Sequence, residues 1–158
     1  MSNNNDHADV AIRPPLLFLG ALALGSLLSL GLPLGTRLAS PNGLALTVGL
    51  VFVTSGLLLA ALAANRFRLA GTPVPVDRPV TALVSVGPYQ FTRNSIYIGL
   101  VLVYFGLSII LTSLWALFLL IPVLIILQRY VIAREEAYLE KKFGEAYRKY
   151  KERVPRWL

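Results

Sequence analysis

Two short segments hold most of the side chains able to do chemistry. The first is Gly87-Pro-Tyr-Gln-Phe-Thr-Arg-Asn-Ser-Ile-Tyr-Ile-Gly99, and the second runs from Arg134 through Glu135 and Glu136 to Arg153. Gly87-Pro88 is a turn signal. Arg93 and Asn94 then stand at the start of an apolar run, where free N–H groups and the positive dipole end of a helix favour an anionic group. The plain alternative makes Asn94 or Ser95 an N-cap and Gly99 a position where a ligand or a neighbouring helix comes close. Glu135 and Glu136 are adjacent carboxylates at the end of a long apolar stretch, costly there unless a cation pairs with them. Arg129, Arg134 or a bound cation is the candidate partner. Phe143, Tyr147, Tyr150 and Val154 recur at helical spacing with basic flanks, and Lys141, Glu145 and Lys149 form an i,i+4 ladder, which together read as an amphipathic helix lying on a membrane surface. The chain has no cysteine, and its single histidine, His7, sits in a polar N-terminal stretch. Disulfides, thiolate chemistry, a histidine triad and an imidazole metal site are excluded on that count. No Walker loop, metal motif, dinucleotide fingerprint or internal repeat is present.

The elements that must position these residues are membrane helices. Of 158 residues, 56% are hydrophobic and 15% charged, against roughly 25% charged in an ordinary soluble domain, and mean hydropathy is +0.65. Residues 14–38 and 43–64 are each long enough to cross a bilayer, which takes about 20 residues. Pro41-Asn42-Gly43 favours a tight turn between them. Residues 96–127 would make one helix of about 48 Å, too long for a hydrocarbon core of about 30 Å. Thr112-Ser113 therefore marks a turn between helices at 95–111 and 114–133, the first of them short, with Pro122 a candidate kink. The expected fold is all-α: a polytopic membrane protein with about four transmembrane helices and a C-terminal amphipathic helix. Its parts are a disordered tail over 1–13 (too acidic and Asn-rich for a signal-peptide leader), a helix pair over 14–64, and a core over 65–158. Residues 67–79, with three prolines, read as an extended stretch along the interface. Tyr104, Trp115 and Tyr130 read as packing or interfacial anchors.

Charge sets the orientation. Arg66, Arg68, Arg78 and Arg93 lie between the second and third helices, nine Lys/Arg follow from Arg129 to Arg156, Arg13 precedes the first helix, and Arg37 alone falls on the other side. The positive-inside rule places both termini and the middle loop in the cytoplasm. The net charge of +7 then serves anionic lipid headgroups rather than nucleic acid, and the simple organisation suits a prokaryotic inner membrane.

Taken in order, Gly71-Thr72-x-Val74, Gly87-Pro88-Tyr89-x-x-x-Arg93-Asn94-x-x-Tyr97-x-Gly99, Glu135-Glu136-x-x-Leu139-x-x-x-Phe143-Gly144-x-x-Tyr147-x-x-Tyr150 and Arg153-Val154-Pro155 resemble the isoprenylcysteine carboxyl methyltransferase / phospholipid methyltransferase superfamily. The likeness covers residue 66 to the C-terminus. One departure is Ser95, where the family commonly has proline after Arg-His or Arg-Asn. The resemblance implies an integral membrane methyltransferase whose C-terminal half binds S-adenosylmethionine at the cytosolic face, with a lipophilic acceptor arriving from the lipid. It carries a cofactor role onto Tyr89, Asn94, Tyr97, Gly99, Glu135 and Glu136, and a role in catalysis or acceptor positioning onto Arg93 and Arg153. With no usable histidine base, an isoprenylcysteine-type carboxylate, already ionised, is the expected acceptor; a phospholipid amine is the alternative. An NADPH-dependent membrane reductase and a non-enzymatic lipid-binding protein are the competing readings. No metal and no nucleic-acid partner is expected.

Overall fold

The computed structural model describes residues 12–32, 43–74 and 79–158. The expectations for the tail over 1–11, for the connection from Arg37 through Pro41-Asn42, and for Pro75 and Arg78 lie outside the described residues.

Helix α1 spans Pro14–Gly31 and opens with prolines, which suit the first turn because N–H groups there have no intrahelical acceptor. Helix α2, Gly43–Leu69, ends with Arg66 and Arg68 in its last turn, opposite in charge to the negative dipole end. Helix α3 is Ser95–Ile110 and α4 is Leu114–Ile126. The turn between them falls at the expected Thr112-Ser113. Thr112 takes a φ of +50°, and Ser113 caps α4 by accepting from the Ala116 N–H at 3.1 Å. From α4 the chain continues through a π-helical turn, Leu127–Ile132, into α5, Ala133–Phe143. Pro14–Gly31, Gly43–Leu69 and Leu114–Phe143 are long and apolar enough to cross a membrane, and Ser95–Ile110 is shorter. At about 24 Å, α3 is shorter than a hydrocarbon core of about 30 Å, so it lies among its neighbours as the short helix of the expected hairpin.

The C-terminal amphipathic helix differs from expectation in two ways. Its first part, α5, is continuous with α4. It then breaks at Gly144, whose φ of +52° no side-chain-bearing residue adopts cheaply, and restarts as α6, Glu145–Arg153. The apolar stripe also faces protein rather than lipid. Tyr147, Tyr150 and Val154 are buried and pack with Leu83, Leu139 and Phe143.

Helices α2 and α3 share the most extensive contact, while α1 packs on α4 and more lightly on α3. Their small residues explain the first pairing: Gly49, Gly56 and Ala63 recur every seventh position on α2, and Gly99 and Gly106 do so on α3. A Cβ on Gly56 would lie 2.6 Å from the Gly99 carbonyl oxygen, and one on Gly99 would lie 2.7 Å from that of Gly56. In lipid, where apolar side chains gain nothing by leaving the solvent, such close backbone approach drives helix association. Because the obstacle is a backbone carbonyl, Gly56→Ala is expected to destabilise by about 1–3 kcal/mol, read as a lower Tm in detergent; an unchanged Tm would contradict this packing. At the other end of the bundle, Ser113 Oγ donates to the Gly25 carbonyl at 3.1 Å and lies 2.8 Å from Ser29 Oγ, and the Tyr104 hydroxyl donates to the Ala116 carbonyl at 2.7 Å. These bonds tie α1 and α3 to the start of α4.

Candidate active site

Helices of alternating direction bring the start of α1, the end of α2, the start of α3 and the α4–α5 junction to the same end of the molecule. A cavity of about 320 Å³ opens there, within the range of small-molecule sites, about 300–1,000 Å³. Pro14 and Pro15 of α1 and Ala60, Ala64 and Phe67 of α2 form apolar walls, with Ile96 and Leu100 of α3. A non-helical stretch from Val80 to Val84 closes another side. It is fixed by the Val80 N–H on the Tyr138 hydroxyl at 3.2 Å and the Thr81 N–H on Thr72 Oγ1 at 2.8 Å.

The polar end is built from the two segments singled out in the sequence. Tyr89, Arg93, Asn94, Tyr97, Glu135 and Glu136 all line the cavity. Tyr89 sits in a short 3-10 helix, Gly87–Gln90. Its ring stands edge-on to Phe67 at 5.3 Å, and its carbonyl accepts from the Tyr150 hydroxyl at 2.8 Å. The adjacent glutamates have different surroundings. Glu135 accepts a 2.6 Å hydrogen bond from the Tyr97 hydroxyl, and among the described residues no cation pairs with it. Glu136 is held by two arginines: Arg156 takes both carboxylate oxygens, Nε to Oε1 at 3.0 Å and Nη2 to Oε2 at 2.6 Å, and Arg93 Nη1 lies 2.8 Å from Oε1. That last approach is an ion pair without hydrogen-bond alignment, so Arg93 Nε and Nη1 are buried with no hydrogen-bond partner.

Burial, then Tyr150 and the charge of Glu135, pushes the Tyr89 hydroxyl up from its ordinary value. Burial also pushes Tyr147 up to about 12, with Glu136 adding and Arg93 opposing, and raises Tyr150. These phenols stay protonated at neutral pH, and that of Tyr150 donates to the Tyr89 carbonyl. The hydrogen bonds that Arg156 donates to Glu136 raise it, and it stays charged.

The C-terminal tail completes the site. The Arg93 N–H donates to the Pro155 carbonyl at 3.0 Å, and Thr92 Oγ1 and Asn94 Nδ2 both donate to the Arg156 carbonyl at 3.0 and 2.8 Å. Asn94 precedes α3 but makes no side-chain cap bond; its amide serves the tail instead. Two sequence expectations are placed elsewhere. Arg153 is exposed, its Nε donating to the Lys149 carbonyl at 3.2 Å, and it does not line the cavity. Gly99 faces Gly56 across the helix pair and is likewise not part of the lining. Arg156, three residues on from Arg153, is the arginine that reaches Glu136, and sequence reasoning passed over it. The available signal was Pro155, which ends α6 and turns the chain back.

Ser95, the departure from the family pattern, is the first residue of α3, fully buried, with its Oγ donating to the Thr92 carbonyl at 3.2 Å. Asn94 has φ −120° and ψ +39°, away from the extended ψ that a residue before proline prefers. Ser95→Pro is therefore expected to cost about 1–2 kcal/mol and loosen Asn94 from the tail. A Tm equal to wild type would show that the family proline fits here.

This architecture, apolar helices around a cavity whose polar end lies where the spans terminate, is that of an integral membrane protein with a candidate small-molecule site. The family model for phospholipid methyltransferase matches residues 44–146, more than half of the chain and most of the cavity lining, Pro14, Pro15, Tyr147 and Tyr150 lying outside it. The chain belongs to this family of membrane methyltransferases. A Haemophilus influenzae protein described as uncharacterized is 40% identical over 62 residues, which make up 39% of this chain and 98% of that protein. No solved structure matches.

Proposed function

We propose that the chain transfers a methyl group from S-adenosylmethionine to the polar end of a lipophilic acceptor, at the cytoplasmic face of a prokaryotic inner membrane. The observation that carries this reading is the division of charge in the cavity. Among the described residues Glu135 is a buried carboxyl with no cation beside it, and Arg93 is a buried guanidinium with two nitrogens that make no hydrogen bond. S-adenosylmethionine bears an ammonium, a sulfonium and a carboxylate, so both groups have a counterpart on it. The ring faces of Tyr89, Tyr97 and Tyr147 add cation–π attraction of about 0.5–2 kcal/mol for a cation held near them. When bound, the cofactor supplies a methyl carbon activated by the positive sulfur, to be displaced in line.

The protein's contribution is placement and exclusion of water. The apolar walls keep the polar end in a low-dielectric setting, where Glu135 and Arg93 attract charge more strongly than in water. Holding an acceptor in line within such a pocket is worth several kcal/mol, out of about 7–11 available from orientation. The want of a histidine base favoured a carboxylate acceptor in the sequence. The lack of histidine does not exclude an amine, because a phenol, a carboxylate or water can take the proton of an acceptor ammonium. The match to the phospholipid methyltransferase family makes a phospholipid amine the acceptor of first choice. A carboxylate such as an isoprenylcysteine is the second reading, favoured by the unspent nitrogens of Arg93.

Protein in nanodiscs, given methyl-labelled S-adenosylmethionine with phosphatidylethanolamine or with N-acetyl-S-farnesylcysteine, tests this. A base-stable label in the aminophospholipid supports the amine, whereas a label released as methanol by mild base identifies a methyl ester. Absence of label from both acceptors, with the cofactor bound, contradicts the acceptor assignment.

A further inference from the structure

We infer that Arg156, in the C-terminal tail, is a positioning residue that keeps Arg93 available for an oxyanion of the ligand. The inference rests on the proposed function, which supplies the ligand. Glu136 is the nearest carboxylate to Arg93, and a lone arginine beside a lone carboxylate settles into a two-bond fork that consumes both. Here Arg156 occupies that fork, with bonds of 3.0 and 2.6 Å. Arg93 bonds the Tyr147 hydroxyl but makes only a misaligned approach of 2.8 Å to Glu136, and its Nε and Nη1 are buried without hydrogen bonds. Its side chain is 10% exposed, against 35% for Arg156, so the guanidinium with donors to spend is the one in the cavity wall and the satisfied one is outside it.

The backbone supports this division. The Pro155 and Arg156 carbonyls accept from Arg93, Thr92 and Asn94, and Trp157 Nε1 donates to Gln128 Oε1 at 3.3 Å. Residues on both sides of Arg156 are thus anchored to the start of α3 and to the π-helical turn, which aims its side chain at Glu136. The chemistry recognised at Arg93 is a carboxylate or phosphate oxygen, contributed by the methyl donor or by the acceptor headgroup.

The test is a double-mutant cycle on Arg156 and Glu136, read by calorimetric binding of S-adenosylmethionine and of its decarboxylated analogue, by acceptor KM and kcat, and by thermal unfolding. In Arg156→Ala, Glu136 turns onto Arg93 and consumes its donors, and oxyanion binding falls about tenfold or more. Adding Glu136→Gln removes the quenching carboxylate, so Arg156→Ala/Glu136→Gln returns to within about threefold of Glu136→Gln alone. Arg156→Lys, which keeps the charge but not the fork, shows a smaller loss and serves if the alanine variant fails to fold. A loss seen with S-adenosylmethionine but not with its decarboxylated analogue assigns the oxyanion to the donor. A raised acceptor KM at unchanged kcat assigns it to the headgroup. Either result supports the positioning role. A double variant weaker than both singles makes the tail an anchor only, and overturns the inference, as does unchanged binding and KM in Arg156→Ala and Arg156→Lys. Wild-type protein that binds no S-adenosylmethionine overturns the proposed function instead.

Discussion

Glu135→Gln is expected to lower affinity for S-adenosylmethionine by at least about thirtyfold while raising the thermal stability of the free protein. The two effects have one cause. Glu135 is 6% exposed and receives only the Tyr97 hydroxyl, so among the described residues no cation offsets the cost of burying an ionisable carboxyl there. The amide of Gln still accepts from Tyr97 but carries no charge to desolvate. Relief of that cost appears as a higher Tm, at about 2–4 °C per kcal/mol for a chain of this size. In the complex the same substitution deletes the partner of a buried ligand cation, a loss of about 2–5 kcal/mol. A variant that binds as well as wild type removes Glu135 from the site; one that binds poorly but also unfolds earlier makes it a structural group.

Arg93→Ala is the second large effect. Its Nε and Nη1 are buried donors without an aligned hydrogen bond, Nη1 having only its ion-pair approach to Glu136, an arrangement that costs about 1–3 kcal/mol in the free protein and that a ligand oxyanion would relieve. Truncation is expected to lower kcat/KM by about 10²–10³, comparable to removing an aligned donor from an oxyanion site. Stability should change far less, because Arg156 continues to satisfy Glu136 and the backbone N–H of residue 93 still holds Pro155. Arg93→Lys should recover only part of the loss, since an ammonium is a point charge without the planar fork. Full activity in Arg93→Ala would contradict the assignment.

Much of this molecule was readable from residue order. Apolar run lengths located the helices, and the excess length of 96–127 demanded the turn that Thr112 and Ser113 make. The two segments that converge on the cavity stood out because arginine and paired glutamates are expensive beside lipid, and an expensive residue needs a partner. What remained hidden depends on chain path. Gly99 suits a close approach by either a ligand or a helix, and only the register of α2 against α3, with Gly56 opposite, decides for the helix. Arg153 and Arg156 differ by three positions on one basic segment. Pro155 ends α6 between them, and the tail's return to Thr92, Arg93 and Asn94 carries Arg156, not Arg153, to Glu136. The aromatic stripe around Tyr147 has the period of a surface helix, and periodicity alone does not tell a lipid face from a protein face such as the one Leu83, Leu139 and Phe143 provide.

The most direct test of the account is calorimetric titration of the wild-type protein in nanodiscs with S-adenosylmethionine, with NADPH and the Glu135→Gln variant in parallel. Saturable binding of S-adenosylmethionine, none of NADPH, and marked weakening in the variant are expected. Binding of NADPH in its place would point to a reductase, and binding of neither would contradict a donor site in this cavity altogether.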